Sequence, residues 1–379
     1  MKKITVAVDS FKGSLSSQEV ADAFEVGAKR VLPHCEVRKV SVADGGEGTV
    51  DALVQMLDGE YVTPVVADPL MRPIEARYGI VDGGRVAVME MSAASGLPLL
   101  KPEERNPLKT TTYGTGEMIA DALRRGCRKF LIGIGGSATN DAGVGMLRAL
   151  GFRFLDSKGQ ELVGGGEILE RIDAIDDSAA LRELREATFT VACDVTNPLY
   201  GPRGAAYVFA PQKGADEVMV ERLDGGLKNF AEAVKRYNGE DISALPGAGA
   251  AGGLGGGFKA LLGARLERGV EMVLGAIHFD EIIAGCDLVI TGEGRLDAQT
   301  VMGKTPSGVL CAAQRYNIPC VAIGGAVAQC KELEESGFAA ILPIVPSPMP
   351  LEQAMQREVA VANVERTAEL IMKLLNLNI

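Results

Sequence analysis

The stretch Lys129–Leu150, KFLIGIGGSATNDAGVGMLRAL, holds the pattern on which the interpretation of this chain depends. An apolar run typical of a buried strand is broken by Gly135 and Gly136, and an apolar segment that predicts a helix follows. Such a turn gathers backbone N–H groups and a helix N-terminus at one point, which favours anions and phosphate above all. The alternative is a tight turn capped by one of the polar residues between them, and this stretch alone leaves both interpretations open.

Length and composition indicate a glycine-rich protein of two domains. With 379 residues, the chain exceeds the roughly 250–300 residues at which a single hydrophobic core stops growing. Glycine accounts for 47 of the 379 residues, well above its usual share of about 7%. The glycines cluster at strand ends, which indicates tight loops where the backbone approaches a ligand.

Charge and cysteine usage argue against several classes of protein. A net charge of −11 and the lack of a basic stretch argue against a nucleic-acid partner. The seven cysteines and two histidines form no cluster, so reduced thiols are favoured over disulfides or a zinc site. No signal peptide and no membrane-spanning stretch are recognised. We therefore expect a cytoplasmic protein with no membrane partner, for which an oligomer is possible.

The two ends of the chain share one pattern, and the middle has another. The strand Ile4–Val8, a helix that begins at the capping pair Ser16 and Glu19, and the strand Glu36–Val42 predict a βαβ unit. The same alternation of strands and helices returns toward the C-terminus. In the middle, the turn Asp82–Gly84 between two alternating segments predicts a hairpin and therefore a mixed sheet.

These patterns predict an α/β protein with one domain inserted into another. A parallel α/β domain is expected from residues 1–72 and 284–379, and a second α/β domain with a mixed sheet from residues 73–283. In the C-terminal part we expect a polar loop over Gly292–Gly303 and a single final helix over about 351–375. Ligands commonly bind between such domains, so the active-site cleft is expected between these two.

Five polar loops follow predicted strands, and each carries a carboxylate or a lysine next to glycine. Any one of them is explained equally well as a turn or a helix cap. Together they supply what phosphoryl transfer needs: glycine N–H groups and lysines for the phosphates, carboxylates for Mg²⁺, and a carboxylate near the accepting hydroxyl. The loops are Asp9–Ser14, Asp44–Thr49, Gly135–Asp141, Asp194–Leu199 with Pro211–Gly214, and Gly292–Asp297 with Gly303–Lys304.

Familiar nucleotide-binding signatures are missing from the sequence. It has no G-x-x-x-x-G-K-[ST] loop, no H-R-D or D-F-G set, and no G-x-G-x-x-G after the first strand. The glycine tract Pro246–Gly257 is a weak match to a nucleotide loop, and close helix packing explains it almost as well.

Eight motifs follow one another along the chain. They are VDSFKGSLSSQEV (8–20), VADGGEGT (42–49), GIGGSATNDAGVGM (133–146), ACDVTNPLYG (192–201), PQKGA (211–215), PGAGAAGGLG (246–255), VITGEGRLDAQT (289–300) and GKTP (303–306). In this order, the motifs resemble those of the bacterial glycerate kinases of type 1. The resemblance covers essentially the whole chain and implies ATP- and Mg²⁺-dependent phosphorylation of D-glycerate to 2-phosphoglycerate. It also implies a flavodoxin-like domain built from both chain ends, with a second domain inserted.

Roles for individual residues follow from the chemistry of glycerate, a small anion with two hydroxyls. Its site needs a cation or an N–H nest for the carboxylate, and a base for the attacking hydroxyl. The predicted catalytic residues are Asp194, the favoured base, with Lys12, Asp297 and Asp9. Phosphate or substrate contacts are predicted for Ser14, Gly135, Gly136, Ser137, Thr139, Asn140, Asn197, Lys213 and Lys304. Metal or hydroxyl contacts are predicted for Asp44, Glu47 and Glu293.

There are two alternatives to a glycerate kinase. One is a kinase for a related small hydroxy acid. The other, from a different class, is a ligand-binding regulatory protein that keeps the cleft but performs no chemistry. Loss of several loop carboxylates and lysines would favour the regulatory protein, but all five loops retain theirs. ATP consumption with and without D-glycerate separates these alternatives.

Overall fold

The computed structural model describes residues 3–376, which divide into two compact units. The terminal unit contains the chain up to Asp44 and from Val273 onward, and the inserted unit is Gly45–Met272.

The secondary structure alternates between strands and helices along the chain. The strands are β1 (Lys3–Val8), β2 (Glu36–Ser41), β3 (Glu60–Val62), β4 (Val65–Ala67), β5 (Pro73–Glu75), β6 (Tyr78–Val81), β7 (Val86–Glu90), β8 (Lys129–Gly133), β9 (Arg153–Leu155), β10 (Ala174–Asp176), β11 (Thr188–Ala192), β12 (Arg265–Glu267), β13 (Leu288–Leu296), β14 (Cys320–Val327) and β15 (Ala340–Pro343). The α-helices are α1 (Ser17–Val31), α2 (Thr49–Met56), α3 (Ser92–Ser95), α4 (Tyr113–Arg124), α5 (Val144–Ala149), α6 (Ala205–Phe209), α7 (Glu217–Asn238), α8 (Ala250–Leu262), α9 (Gly269–Ala276), α10 (Phe279–Ile283), α11 (Thr305–Arg315), α12 (Lys331–Glu334), α13 (Leu351–Ala354) and α14 (Arg357–Leu375). Short 3₁₀ helices lie at Leu97–Leu99, Pro102–Glu104, Gly166–Arg171, Arg182–Glu186, Pro211–Lys213 and Thr300–Met302. Within residues 3–376, no helix has the length and apolar character that crossing a membrane requires.

The terminal unit is built on a five-stranded parallel sheet in the order β2-β1-β13-β14-β15. Counted along the unit, this is the flavodoxin-like order 2-1-3-4-5. The central strand β1 buries Ile4, Val6 and Val8 completely. Strand order switches direction between β1 and β13, and ligands of such sheets bind outside the carboxyl ends of the strands at this point.

Helix α1 begins with the predicted capping box. The Ser16 hydroxyl accepts a hydrogen bond from the N–H of Glu19 at 3.2 Å, and the Glu19 carboxylate accepts one from the N–H of Ser16 at 2.9 Å. Further along α1, Gly27 lies against α14, where any Cβ would collide with the backbone carbonyl of Glu365. Glycine at this position therefore allows the two helix backbones to approach closely.

Strand β13 is longer than the sequence predicted. A loop was expected from Gly292, but the strand continues to Leu296 because Glu293 pairs with Gly324 and Leu296 pairs with Val327. The prediction was wrong because glycine and charged residues in this segment are typical of loops. Glu293 is therefore held on a strand of the sheet.

The single helix predicted over 351–375 was also wrong. The segment forms the short helix α13 and the long helix α14, separated by Met355 and Gln356. The break arises because Gln356 has an extended backbone, with φ −60° and ψ 129°.

The inserted unit contains a six-stranded mixed sheet in the order β12-β11-β8-β7-β6-β3. Strands β7, β8, β11 and β12 are parallel, whereas β6 pairs antiparallel with β7 and β3. The predicted hairpin joins β6 to β7 through Asp82–Gly84, and the rings of Phe130 and Phe189 stack at 4.8 Å within the core. The predicted α/β class, with a parallel sheet from both chain ends and a mixed sheet between them, is confirmed.

The boundaries of the two units differ from those predicted after residues 72 and 283. Residues 45–72 belong to the inserted unit, because β3 pairs with β6 and α2 packs on β6 at Gly79, where a side chain would collide with Val54. Residues 273–283 belong to the terminal unit, where the Arg38 guanidinium donates to the carbonyl of Ile282 at 2.9 Å.

Candidate active site

A cavity of about 520 Å³ lies at the carboxyl ends of β1, β13 and β14 in the terminal unit. This is the position at which the switch in strand order predicts a ligand. The predicted site residues that line it are Asp9, Lys12, Ser14, Asp44, Glu293, Asp297 and Lys304. Its other lining residues are Ser10, Phe11, Gly294, Arg295, Gln299, Gly325, Ala326, Ile344, Val345, Leu351, Ala354, Met355 and Ala360.

Asp9 is the buried carboxylate of the cavity, directly after β1. Its N–H donates to the carbonyl of Gly292 at 2.9 Å, which fixes it beside β13. Its side chain accepts hydrogen bonds from the N–H of Ser10 at 2.6 Å and the hydroxyl of Thr305 at 3.2 Å. Burial, and after it the negative charge of Asp44, raise the pKa of the Asp9 carboxyl. Repulsion between the two carboxylates makes this part of the cavity favourable for a cation.

Glu293 and Lys304 place opposite charges on the same cavity. One Glu293 oxygen accepts a hydrogen bond from the hydroxyl of Thr300 at 2.7 Å, and the other lies 3.7 Å from the Lys304 ammonium. Burial is the main reason that the pKa of Glu293 is raised. Lys304 is also the N-cap residue of α11, so the positive end of that helix dipole faces the same place.

Lys12 and Ser14 lie on a tight loop between β1 and α1. The N–H of Phe11 donates to the carbonyl of Leu15 at 2.8 Å, and the N–H of Ser14 donates back to the carbonyl of Phe11 at 2.8 Å. Between them Gly13 has φ +78°, a left-handed conformation that favours glycine. The Lys12 side chain is exposed, whereas the Ser14 hydroxyl is buried without a hydrogen-bond partner in residues 3–376.

The donor set fits a phosphate ligand that carries Mg²⁺. Within residues 3–376, no three His, Cys, Asp or Glu side chains form a ready-made metal site. Mg²⁺ usually needs only one or two protein carboxylates, because substrate phosphates and waters complete its coordination. Asp44 and Glu293 can supply those carboxylates, while Lys12 and Lys304 supply positive charge for phosphate oxygens. Glu47, the third predicted metal contact, is exposed, belongs to the inserted unit and does not line this cavity.

In the inserted unit the structure brings Lys213 against the loop that follows β8. The Lys213 ammonium donates to the hydroxyl of Ser137 at 2.7 Å and to the carbonyl of Thr139 at 2.6 Å. Lys213 is only 1% exposed, and burial lowers its pKa to about 7. The side chain therefore holds the predicted phosphate-binding loop in place, and its charge changes near neutral pH.

The stability of the inserted unit is expected to depend on the ionisation of Lys213 between pH 7 and 10.5. Because the pKa is lowered on folding, the unfolded chain binds a proton that the folded chain lacks between pH 7 and 10.5. Stability contributed at this site should therefore rise with pH across that window, by up to roughly tenfold in the folding equilibrium constant per pH unit. Thermal and denaturant unfolding of wild type and Lys213→Met, measured from pH 7 to 10, tests this.

The exposed Lys228 on α7 provides the control for that measurement. The unfolding free energy of wild type should rise with pH relative to that of Lys213→Met. The unfolding free energies of wild type and Lys228→Met should instead change in parallel. Parallel pH curves for wild type and Lys213→Met would contradict a lysine that is buried with a lowered pKa.

Other polar groups of the same loop are also buried. The Thr139 hydroxyl and both amide atoms of Asn140 have no hydrogen-bond partner in residues 3–376. Buried polar atoms are normally paired with protein, water or ligand, so these are groups that a bound molecule could satisfy. The preceding Gly135 and Gly136 are exposed, and Gly136 has φ +72°. The glycine turn after β8 is thus formed as predicted.

Asp194 and Asn197 lie on the loop after β11. One oxygen of the exposed Asp194 carboxylate accepts a hydrogen bond from the N–H of Gly269 at 3.0 Å. The Asn197 amide donates to the carbonyl of Arg203 at 2.8 Å, which closes the loop on itself. The base role predicted for Asp194 stays a prediction.

Two features of the sites were missed by reasoning from sequence. Asp141 is fully buried and accepts hydrogen bonds from the N–H and hydroxyl of Thr112 and from the N–H of Gly145. Asp141 thereby links α4 to α5. The sequence signal that could have identified it is its position directly after Ser137, Thr139 and Asn140 in the predicted loop. The second missed feature is the apolar lining of the cavity, which includes Leu351 and Met355. The sequence gives no signal for it, because these residues lie in a segment that was predicted to be one continuous helix.

Comparisons with known proteins agree with this architecture. The sequence model of the Glycerate kinase family matches residues 4–376. A glycerate kinase from Bacillus subtilis (strain 168) is 48% identical over 367 residues, which are 97% of this chain and 96% of the relative. A glycerate 2-kinase from Escherichia coli (strain K12) is 44% identical over 355 residues, 93% of each chain. A crystal structure described as glycerate kinase 2 from Salmonella typhimurium LT2 has a TM-score of 0.90 at 45% identity, covering 99% of this chain and 98% of that one.

A flavodoxin-like parallel sheet with a mixed-sheet unit inserted into it, and charged residues gathered at its switch point, defines the α/β class of this protein. Within that class, the chain belongs to the glycerate kinase family.

Proposed function

We propose that this protein is a glycerate 2-kinase that uses ATP and Mg²⁺ to convert D-glycerate to 2-phosphoglycerate. The observation that carries the proposal is the cavity at the switch point, where Asp9, Asp44 and Glu293 lie with Lys12 and Lys304. The acceptor is supported by the relatives, which bear the names glycerate kinase and glycerate 2-kinase.

The proposed reaction is an in-line transfer of the γ-phosphoryl group. The 2-hydroxyl oxygen of glycerate forms a bond to the γ-phosphorus, the bond from that phosphorus to the bridging oxygen breaks, and ADP leaves. The hydroxyl proton passes to a carboxylate, for which we assign Asp194 first and Asp9 and Asp297 after it.

The charged residues of the cavity are assigned to the nucleotide phosphates. Lys12 and Lys304 neutralise phosphate oxygens as negative charge moves toward the leaving group. Asp44 and Glu293 would hold the Mg²⁺, which supplies charge neutralisation across the phosphates when bound. Because the pKa of Glu293 is raised by burial, protons compete with the metal for this carboxylate at a higher pH than for an ordinary glutamate.

The loops of the inserted unit are assigned to glycerate or to phosphate. The polar atoms that support this are the buried side chains of Thr139 and Asn140, together with Ser137 and Lys213. The predicted cleft formed by the two units stays a prediction.

The experiment that tests the function is a coupled assay for ADP with purified protein, ATP, Mg²⁺ and D-glycerate. We expect ADP formation that depends on both D-glycerate and Mg²⁺. Phosphorus–proton NMR of the product should show coupling of the phosphorus to the proton on carbon 2.

Other results of the same assay have definite meanings. No glycerate-dependent ADP from folded protein would rule out the kinase and support a regulatory ligand-binding protein. Faster turnover of another small hydroxy acid would change the acceptor, and coupling to the carbon 3 protons would change the product to 3-phosphoglycerate.

A further inference from the structure

The cavity of the terminal unit has two chemically different sides. Its charged side is formed by residues at the carboxyl ends of β1 and β13, as described above. Most of its apolar lining comes from one segment of chain after β15, residues 344–360, to which Phe11 and Ala326 add. The members of this apolar wall are Ile344, Val345, Leu351, Ala354, Met355 and Ala360.

Glycerate does not explain the apolar wall, because each of its carbons carries oxygen. A cavity of about 520 Å³ falls within the range of roughly 300–1,000 Å³ that is usual for small-molecule sites. A ligand that carries phosphates at one end and a flat apolar ring at the other matches both sides of the cavity. A purine nucleotide has this composition.

Two residues of the wall offer apolar surface that the protein leaves uncovered. Leu351 is 73% exposed although it lines the cavity, and Met355 is only half-buried. Ile344, at the base of the wall, is buried, and its N–H donates to the carbonyl of Gly324 at 2.8 Å. The wall segment is therefore held by buried residues at both ends, Ile344 and Ala360, and presents the more exposed Leu351 and Met355 between them, where a ligand would remove them from water.

The wall also lies beside the loop assigned to the phosphates. A Cβ built on Gly13 would meet the terminal methyl of Met355 at 2.8 Å, so this methionine contacts the loop that carries Lys12. Methionine packs readily against the edges and faces of aromatic rings. The break between α13 and α14 separates Met355 from the long helix and allows it to face the cavity with Leu351.

We infer that the base of the ATP substrate lies against the apolar wall of Leu351 and Met355, with its phosphates directed toward Lys12 and Lys304. This inference rests on the proposed function, because it identifies which substrate of the kinase the terminal unit binds. It places the nucleotide, and not the hydroxy acid, in this cavity.

Nucleotide binding measured without turnover tests the inference. Leu351→Ser and Met355→Ser should each weaken binding of Mg²⁺–ADP, followed by calorimetry, by about tenfold, because each removes apolar contact with the ring. Leu374→Ser is the matched control, since Leu374 is 64% exposed on α14 and is not part of the wall. Circular dichroism and thermal unfolding confirm that each variant is folded.

Inorganic tripolyphosphate, which has the phosphates without the base, separates the two ends of the site. Its own dissociation constant, measured directly by calorimetry, should be unchanged by Leu351→Ser and Met355→Ser but raised by Lys12→Ala. The KM for D-glycerate should stay within about twofold in the two wall variants. Unchanged ADP affinity in both wall variants, or a raised KM for D-glycerate with normal ADP affinity, would overturn the inference while the kinase proposal stands. A wild-type protein that neither binds ADP nor phosphorylates glycerate would overturn both.

Discussion

Replacement of Lys12 by alanine is expected to lower kcat/KM for glycerate phosphorylation by about 10²–10⁴-fold, with the fold intact. Removing a preorganised positive charge from a phosphoryl-transfer site typically costs this much. The side chain is exposed on a loop whose backbone hydrogen bonds do not involve it, so folding should be unaffected. Steady-state kinetics with ATP and D-glycerate, together with thermal unfolding, measures both effects.

A surface lysine of the same unit gives the comparison for this variant. Lys331 is 80% exposed and its ion-pair contact is with Glu335, four residues along α12 and just beyond its end, at 3.7 Å. Lys331→Ala should therefore behave as wild type. Retention of more than about half of the wild-type kcat/KM by Lys12→Ala would show that Lys12 contributes well under 1 kcal/mol to the transition state. Its assignment to the phosphates would then be wrong.

Replacement of Asp194 by alanine is expected to cause a loss in kcat of similar size, about 10²–10⁴-fold, because the reaction would lack its base. Asp194→Asn is the sharper variant. An amide oxygen can still accept the 3.0 Å hydrogen bond from the N–H of Gly269, but it cannot take up the hydroxyl proton. Both variants should lose activity while the asparagine variant keeps wild-type stability.

Different results for the two Asp194 variants would change the assignment. Activity near wild type in Asp194→Asn, with a loss confined to Asp194→Ala, would make the residue a structural acceptor for Gly269. The search for the base would then move to Asp9, a carboxylate of the cavity whose pKa is raised by burial and by the charge of Asp44.

The general position of the candidate site could be predicted because parallel strands fix where their loops meet. Asp9 follows β1, and Glu293 lies near the carboxyl end of the neighbouring β13. Carboxyl ends of parallel strands share one edge of the sheet, so a strand pattern with polar loops is enough to bring them together. Recognition of the strands was thus sufficient for this part of the site.

Burial and pairing could not be predicted, because they depend on contacts between distant segments. In the sequence, Lys213 is an ordinary lysine next to a glycine. In the structure it is buried against Ser137 and Thr139, which precede it by more than seventy residues. The long β13 and the broken C-terminal helix were missed for a similar reason. The length of β13 depends on its pairing with a neighbouring strand, and the break in the helix depends on backbone conformation. Neither can be predicted from the residue types of the segment alone.

The construction of the terminal unit from both chain ends has a consequence for synthesis on the ribosome. Strand β2 ends at Ser41, and the strand that completes the sheet beside β1 begins only at Leu288. At about 5–20 residues per second, translation of the intervening chain takes roughly 10–50 s. During that time the nascent β1 lacks the neighbour that covers one of its edges, which exposes an aggregation-prone strand to other chains and to chaperones. Truncation before Leu288 should therefore yield a product that is degraded or aggregates, even though Gly45–Met272 has been synthesised in full.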